Sequence, residues 1–132
     1  MKSTMFRIGN IVTVCYEDTI PDTVLILEPG LVHLSRRLAA DNENDIAGVR
    51  LTVNILESMQ FEKTEKWEFQ RTANNKTIKV SLADRLKISW LFIDDHFFEI
   101  EFTHDLQNLV FYLTGTDLQL SKEFLSPYIS ND

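Results

Sequence analysis

Glu99 and Glu101 are the residues of this chain best placed for acid-base chemistry. Alternate residues of a strand share a face at a rise near 3.4 Å, so their Cα atoms stand about 7 Å apart. A glycosidase carboxylate pair sits at such a separation. The residues between and beside them, Phe98, Ile100 and Phe102, are apolar. The simpler expectation is a half-buried strand with both glutamates on its wet side, near Lys79. Three histidines, His33, His96 and His104, are too far apart in sequence for a zinc spacing. Asp41, Glu43 and Asp45 imitate the first ligands of a calcium loop. That pattern then fails at Ile46, where the tight turn needs glycine, and at Thr52, where the ion needs a bidentate glutamate. Cys15 lies in the apolar run Ile11–Tyr16, the setting of a small buried hydrophobe and not of an activated thiolate. No Gly-x-Ser-x-Gly elbow occurs, and four scattered glycines build no phosphate loop. The expectation is a non-catalytic chain with no cofactor and no metal. If there were an enzyme here, His104, Glu99 and Glu101 would be its residues.

The elements that would position these groups follow from periodicity. Residues 7–16 and 23–27 alternate as strands. Glu28-Pro29-Gly30-Leu31 has the chemistry of a type II turn and returns the chain as a strand over 31–35. The polar stretch 36–45 is expected to be an exposed loop, followed by a short strand at 46–50. Thr52 supplies a helix N-cap, and Val53, Leu56 and Met59 recur at helical spacing up to Gln60. From Lys66 the period falls to two. Trp67–Gln70, Ile78–Leu82, Ile88–Ile93 and Phe98–Phe102 predict a four-stranded antiparallel meander turning at Asn74-Asn75 and Asp94-Asp95. The run Ile88–Ile93 is apolar nearly throughout, which predicts burial on both faces.

Thr103 is the expected cap of a last helix. Its stripe is Leu106, Leu109, Val110 and Leu113, and it ends at Gly115. His104, Asp105, Gln107, Asn108, Phe111 and Tyr112 fall off that stripe. Either the sheet wraps far round the helix, or this face meets another protein. Residues 116–132 are expected to be a C-terminal tail whose Phe124, Leu125 and Tyr128 dock in cis or on a partner. His104, Asn108, Phe111, Tyr112, Phe124 and Tyr128 are therefore the candidate interaction surface.

The whole is an α+β chain: a small N-terminal β unit, one helix, the meander, and a C-terminal helix packed on the sheet. At 132 residues it is expected to form a single domain, 1–132. With 44% apolar residues and nine Phe it has ample core material, which excludes disorder for most of the chain. Thirteen basic against twenty acidic residues give a net charge of −7, spread evenly along the chain. Phosphate neutralisation needs clustered cations, and only Arg36-Arg37 is a tight pair, so nucleic acid and anionic membranes are disfavoured as partners. No stretch approaches the roughly 20 apolar residues that cross a bilayer. A single cysteine and the lack of a secretory pattern suit the cytoplasm.

Three blocks carry a resemblance. Arg7-Ile8-Gly9-Asn10-Ile11-Val12 is similar to a "RIGNYV" opening. Leu51-Thr52-Val53-Asn54-Ile55-Leu56-Glu57-Ser58-Met59-Gln60-Phe61 resembles a "PLTEEILLKNGF" helix. Thr103–Gly115 resembles a "VHQLQNLYFALTG" ending, matching at His104, Leu106, Gln107, Asn108, Leu109, Thr114 and Gly115. These belong to a group of small uncharacterised proteins of Bacteroidetes genomes, often in prophages and other mobile elements. Arg50 stands in place of the group's proline, Val53-Asn54 in place of its acidic pair, and Gln60 in place of its glycine. The resemblance implies the same element order and a bacterial cytoplasmic origin, and names no active site. The expected role is that of a protein-interaction or accessory protein, its partner another protein or a second copy. The alternative is an accessory to nucleic-acid processing, which an exposed stripe of Arg7, Arg36, Arg37 and Arg50 would favour.

Overall fold

The structure is a computed structural model that describes residues 6–14, 22–28, 30–35, 41–82 and 88–121. Cys15, Pro29, Arg36, Arg37, Phe124, Leu125 and Tyr128 lie outside the described residues. Those that are described form an α+β chain of two compact units, one before Arg50 and one spanning Arg50–Ser121.

The N-terminal unit is a five-stranded antiparallel sheet. Its strands are β1 (Ile11–Val14), β2 (Asp22–Glu28), β3 (Leu31–Leu34), β4 (Asp41–Asn42) and β5 (Ile46–Gly48), in the order β4-β3-β2-β1-β5. The turn before β1 is held by Asn10, whose Oδ1 accepts from the Arg7 N–H at 2.6 Å. Gly9 takes φ +95° there, and its N–H donates to the Val24 carbonyl. The β2–β3 hairpin turns as expected, with Gly30 at φ +77°, the left-handed conformation required at the third position of a type II turn. Phe6, Val12, Val24, Val32, Leu34 and Ile46 form the core of this unit.

The polar stretch 36–45 was expected to be loop, and its described part is ordered instead. Asp41-Asn42 pairs with Leu31 and Val32. Asn42 then caps a 3-10 turn over Glu43–Asp45, its Oδ1 accepting from the Asn44 N–H at 2.9 Å. A two-residue strand carries no readable alternation, which is why composition alone assigned it to loop.

The C-terminal unit begins with α1 (Val53–Ser58), capped by Thr52 Oγ1 accepting from the Ile55 N–H at 3.2 Å. The helix stops in a Schellman motif. The Phe61 N–H reaches the Leu56 carbonyl, and the Gln60 N–H reaches that of Glu57. Gln60 accordingly sits at φ +69°, a conformation that suits glycine. Arg71 Nη1 donates to the Met59 carbonyl at 2.6 Å and satisfies another end group of the helix.

A second antiparallel sheet follows: β6 (Glu62–Glu65), β7 (Glu68–Ala73), β8 (Lys76–Ser81), β9 (Ser89–Ile93) and β10 (His96–Ile100), in the order β10-β9-β8-β7-β6. The meander thus has five strands and not four. The extra one, Glu-Lys-Thr-Glu, is exposed at all four positions, so no hydrophobic period announced it. Asn74 and Asn75 both take positive φ in the β7–β8 turn, as the two-residue hairpin requires. Phe69, Ile78, Val80, Leu91, Ile93 and Ile100 are buried on the inner face.

Helix α2 (Thr103–Thr114) completes this core, with two departures from expectation. Its N-cap is Phe102 and not Thr103, which lies one step inside and is buried. Asp105 does the capping from the first turn: its Oδ2 accepts from the N–H groups of Phe102 at 2.9 Å and Glu101 at 3.2 Å. The buried face is Thr103, His104, Leu106, Gln107 and Val110, while Leu109 and Leu113 are only half-buried. That face is turned by about 60° from the expected stripe, three residues back at 100° each. Gln107 makes the rotation possible, because its Nε2 donates to the Leu118 carbonyl at 2.8 Å inside the core. Gly115 ends the helix at φ +76°. Residues 116–121, read from sequence as the start of the tail, belong to this unit. Leu118 and Leu120 are buried, and the Ser121 N–H donates to Ser58 Oγ at 2.8 Å.

Candidate functional site

Strand β9 decides where the surface of the C-terminal unit becomes unusual. It was expected to be buried on both faces, yet Ser89, Leu91 and Ile93 point inward while Trp90 and Phe92 point out. Cross-strand pairing accounts for that phase: Leu91 and Ile93 lie across from the buried Val80 and Ile78, whereas Trp90 and Phe92 lie across from Ser81 and Lys79. On the outer face Trp90 is 36% exposed and Phe92 40%. Phe97 of β10 pairs directly with Phe92 and is 63% exposed. The Phe97 ring lies 5.7 Å from Trp90 and 6.4 Å from Phe92, at interplanar angles of 52° and 37°. The rings form a tilted cluster.

Register places polar groups beside this cluster. Lys79 pairs with Phe92, Ser81 and Glu99 with Trp90, and Gln70 with Lys79. A hollow of about 400 Å³ runs from Phe92 over Lys79 to Glu68 and Thr64. Its floor is the outer face of the sheet, so any occupant would meet the aromatic cluster at one end and carboxylates at the other.

The two glutamates singled out for chemistry do share a cleft. About 380 Å³ in volume, it lies between β10 and α2, with Asp105 as a third carboxylate and Asn108 at its side. Two of the three carboxylates are already occupied by structure. Glu101 pairs with Arg50 at 3.1 Å, and Asp105 caps its helix. His104 does not line this cleft. Among the described residues no group of three or more His, Cys, Asp and Glu side chains is arranged to hold a metal ion.

The candidate interaction residues separate. His104 is not on the surface: it is 1% exposed, with its ring stacked 5.6 Å from that of Phe102. Burial pushes its pKa below the ordinary histidine value, and the Asp105 carboxylate, 3.6 Å from Nε2, offsets part of that shift. Asn108 is half-buried, whereas Phe111 and Tyr112 are exposed, Tyr112 to 85%. Phe124 and Tyr128 lie outside the described residues, as do two members of the arginine stripe. Arg50 is engaged by Glu101 and lies over the Phe102 ring at 5.3 Å. Sequence reasoning missed Trp90, Phe92 and Phe97. The signal that could have found them is the polar phase of the neighbouring strands, where Lys79 and Ser81 alternate with Ile78 and Val80 and pair with Phe92 and Trp90, and Glu99 pairs with Trp90.

Among the described residues no helix is long and apolar enough to cross a membrane. Compared with protein-family models, curated proteins and solved structures, the chain gave no match.

Proposed function

We propose that this chain is a non-catalytic protein-interaction or accessory protein of the cytoplasm that binds through the outer face of its C-terminal sheet. One observation carries this reading: Trp90, Phe92 and Phe97 are clustered and exposed on a sheet whose opposite face already holds the core. Apolar area left in water forgoes about 25 cal/mol per Å², and a partner that covers these rings recovers it. Aromatic side chains are the usual anchors of protein interfaces. The net charge of −7 speaks against a polyanion as the occupant.

The test is capture of partners from native lysate by the tagged full chain, with and without nuclease, beside the variant Phe97→Glu. The expected result is a stoichiometric protein that survives nuclease and is lost with Phe97→Glu. Partners that vanish with nuclease would replace this reading by a nucleic-acid role. Capture indifferent to Phe97 would remove the aromatic face from it.

A further inference from the structure

The hairpin that joins β6 to β7 breaks a local rule. Glu65 pairs with Glu68, so Lys66 and Trp67 are its turn residues, and Trp67 takes φ +68°. Asparagine and aspartate tolerate that left-handed conformation, and Asn74, Asn75 and Asp94 use it in the turns that follow. For a bulky residue it is an outlier. The Trp67 carbonyl accepts from the Leu82 N–H at 2.8 Å, which holds the turn in place. Strain of this kind persists where the surrounding structure over-determines it, and it collects at ligand sites.

The conformation places the indole. Half-buried Trp67 lines a hollow of about 220 Å³ together with Val53, Lys63, Lys66 and Phe69. Val53 opens α1, and Lys63 pairs with the buried Phe69, so both leave their strands on one face. Lys66 Nζ stands 6.0 Å from the centre of the Trp67 ring. The acids of the hairpin are sorted elsewhere: Glu65 and Glu68 line the hollow over the outer face, and Glu62 lines another beside Arg71. Among the described residues neither lysine is held in an ion pair. In a chain of net charge −7, two ammonium groups and no carboxylate thus meet at an apolar hollow.

We propose that this hollow binds a small aryl carboxylate, its ring against Trp67, Val53 and Phe69 and its carboxylate shared by Lys63 and Lys66. Each half of the site selects one half of the ligand. A bare anion gains nothing from three apolar walls, and a neutral ring leaves both ammonium groups unused. The volume sets the size, because it falls below the roughly 300–1,000 Å³ of pockets for drug-sized ligands. Both lysines are exposed, so solvent screens them and the affinity is modest. The site is separate from the outer aromatic face and does not rest on its reading as an interaction surface.

The experiment is a magnetic-resonance titration of the isotope-labelled full chain with phenylacetate, phenylacetamide and acetate. Each is taken to about 20 mM at constant pH and ionic strength, a range that brackets a millimolar complex. The two indole N–H resonances and the backbone amides are followed. Trp90 is the internal reference, and Trp90→Phe assigns the pair. Phenylacetate should shift the Trp67 indole saturably, with a Kd of about 1 mM. Phenylacetamide and acetate should each bind at least about tenfold more weakly. Lys63→Gln and Lys66→Gln should each weaken phenylacetate by about two- to fivefold, and together by about tenfold. Trp67→Gly suits the turn and should keep the folded spectrum while abolishing the amide shifts at residues 63–69. Equal binding of phenylacetate and either control overturns the proposal. So does saturation at Trp90 alone, a double lysine variant that binds like wild type, or no saturation over the range.

Discussion

The buried imidazole of His104 ties the stability of the C-terminal unit to pH. The residue is 1% exposed, and desolvation favours its neutral form more than the neighbouring Asp105 carboxylate favours the charged one. Its pKa is therefore lower folded than unfolded. Between those two values the unfolded chain binds the extra proton, so stability rises with pH. The contribution is complete above the unfolded value of about 6.5 and is lost as pH falls toward the folded value. One proton gives a slope of at most about 1.4 kcal/mol per pH unit. Against the 5–15 kcal/mol of a typical domain, that is readily measured. Trp67 and Trp90 both belong to this unit, so tryptophan fluorescence in urea reports its unfolding. The urea midpoint of wild type should fall between pH 7 and pH 5.5 and that of His104→Phe should fall less, the difference being the histidine's share. Phenylalanine can keep the stack on Phe102 while removing the titrating group. Equal slopes for the two proteins would refute the assignment of the proton to His104.

Three further expectations rest on single contacts. Gln60→Gly relieves a left-handed glutamine at the end of α1 and should stabilise the unit by about 0.5–1 kcal/mol in urea melts, net of the greater freedom of the unfolded glycine. Asp105→Ala removes the carboxylate that accepts from the N–H groups of Phe102 and Glu101 and should cost about 1–2 kcal/mol in the same assay. Tyr112→Ser, at a position 85% exposed, should change stability by less than about 0.5 kcal/mol.

The fold was legible wherever period and turn chemistry agreed. Gly30, Asn74-Asn75, Thr52 and Gly115 ended or began elements where their conformational preferences said they would. Legibility failed where burial ran against composition. Strand β6 is all charge and hydroxyl and is recruited by hairpin pairing with β7, a backbone cause that leaves no hydrophobic pattern. Helix α2 is rolled away from Leu109 and Leu113 because Gln107 finds the Leu118 carbonyl, a partner eleven residues away that no periodicity identifies. The candidate site failed in both directions for the same reason. His104 looked polar and was buried beside Phe102, whereas Trp90 and Phe92 looked like core and were left outside.

The outer aromatics have a competing explanation within the fold. Aromatic residues suit strands, and a cross-strand aromatic pair is worth about 0.2–1 kcal/mol relative to alanine. If Phe97 were kept only for that, Phe97→Thr, which preserves strand preference, would lower stability by a comparable amount and leave association untouched. If the ring serves an interface, the same variant would lose little stability and most of the association. The placement of the ring separates these cases. Pairing explains why Phe97 faces Phe92, but not why so large an apolar ring is left 63% exposed. A fold needing only strand propensity there is served by threonine, which exposes far less apolar area. The phenylalanine is accounted for when a partner covers that face.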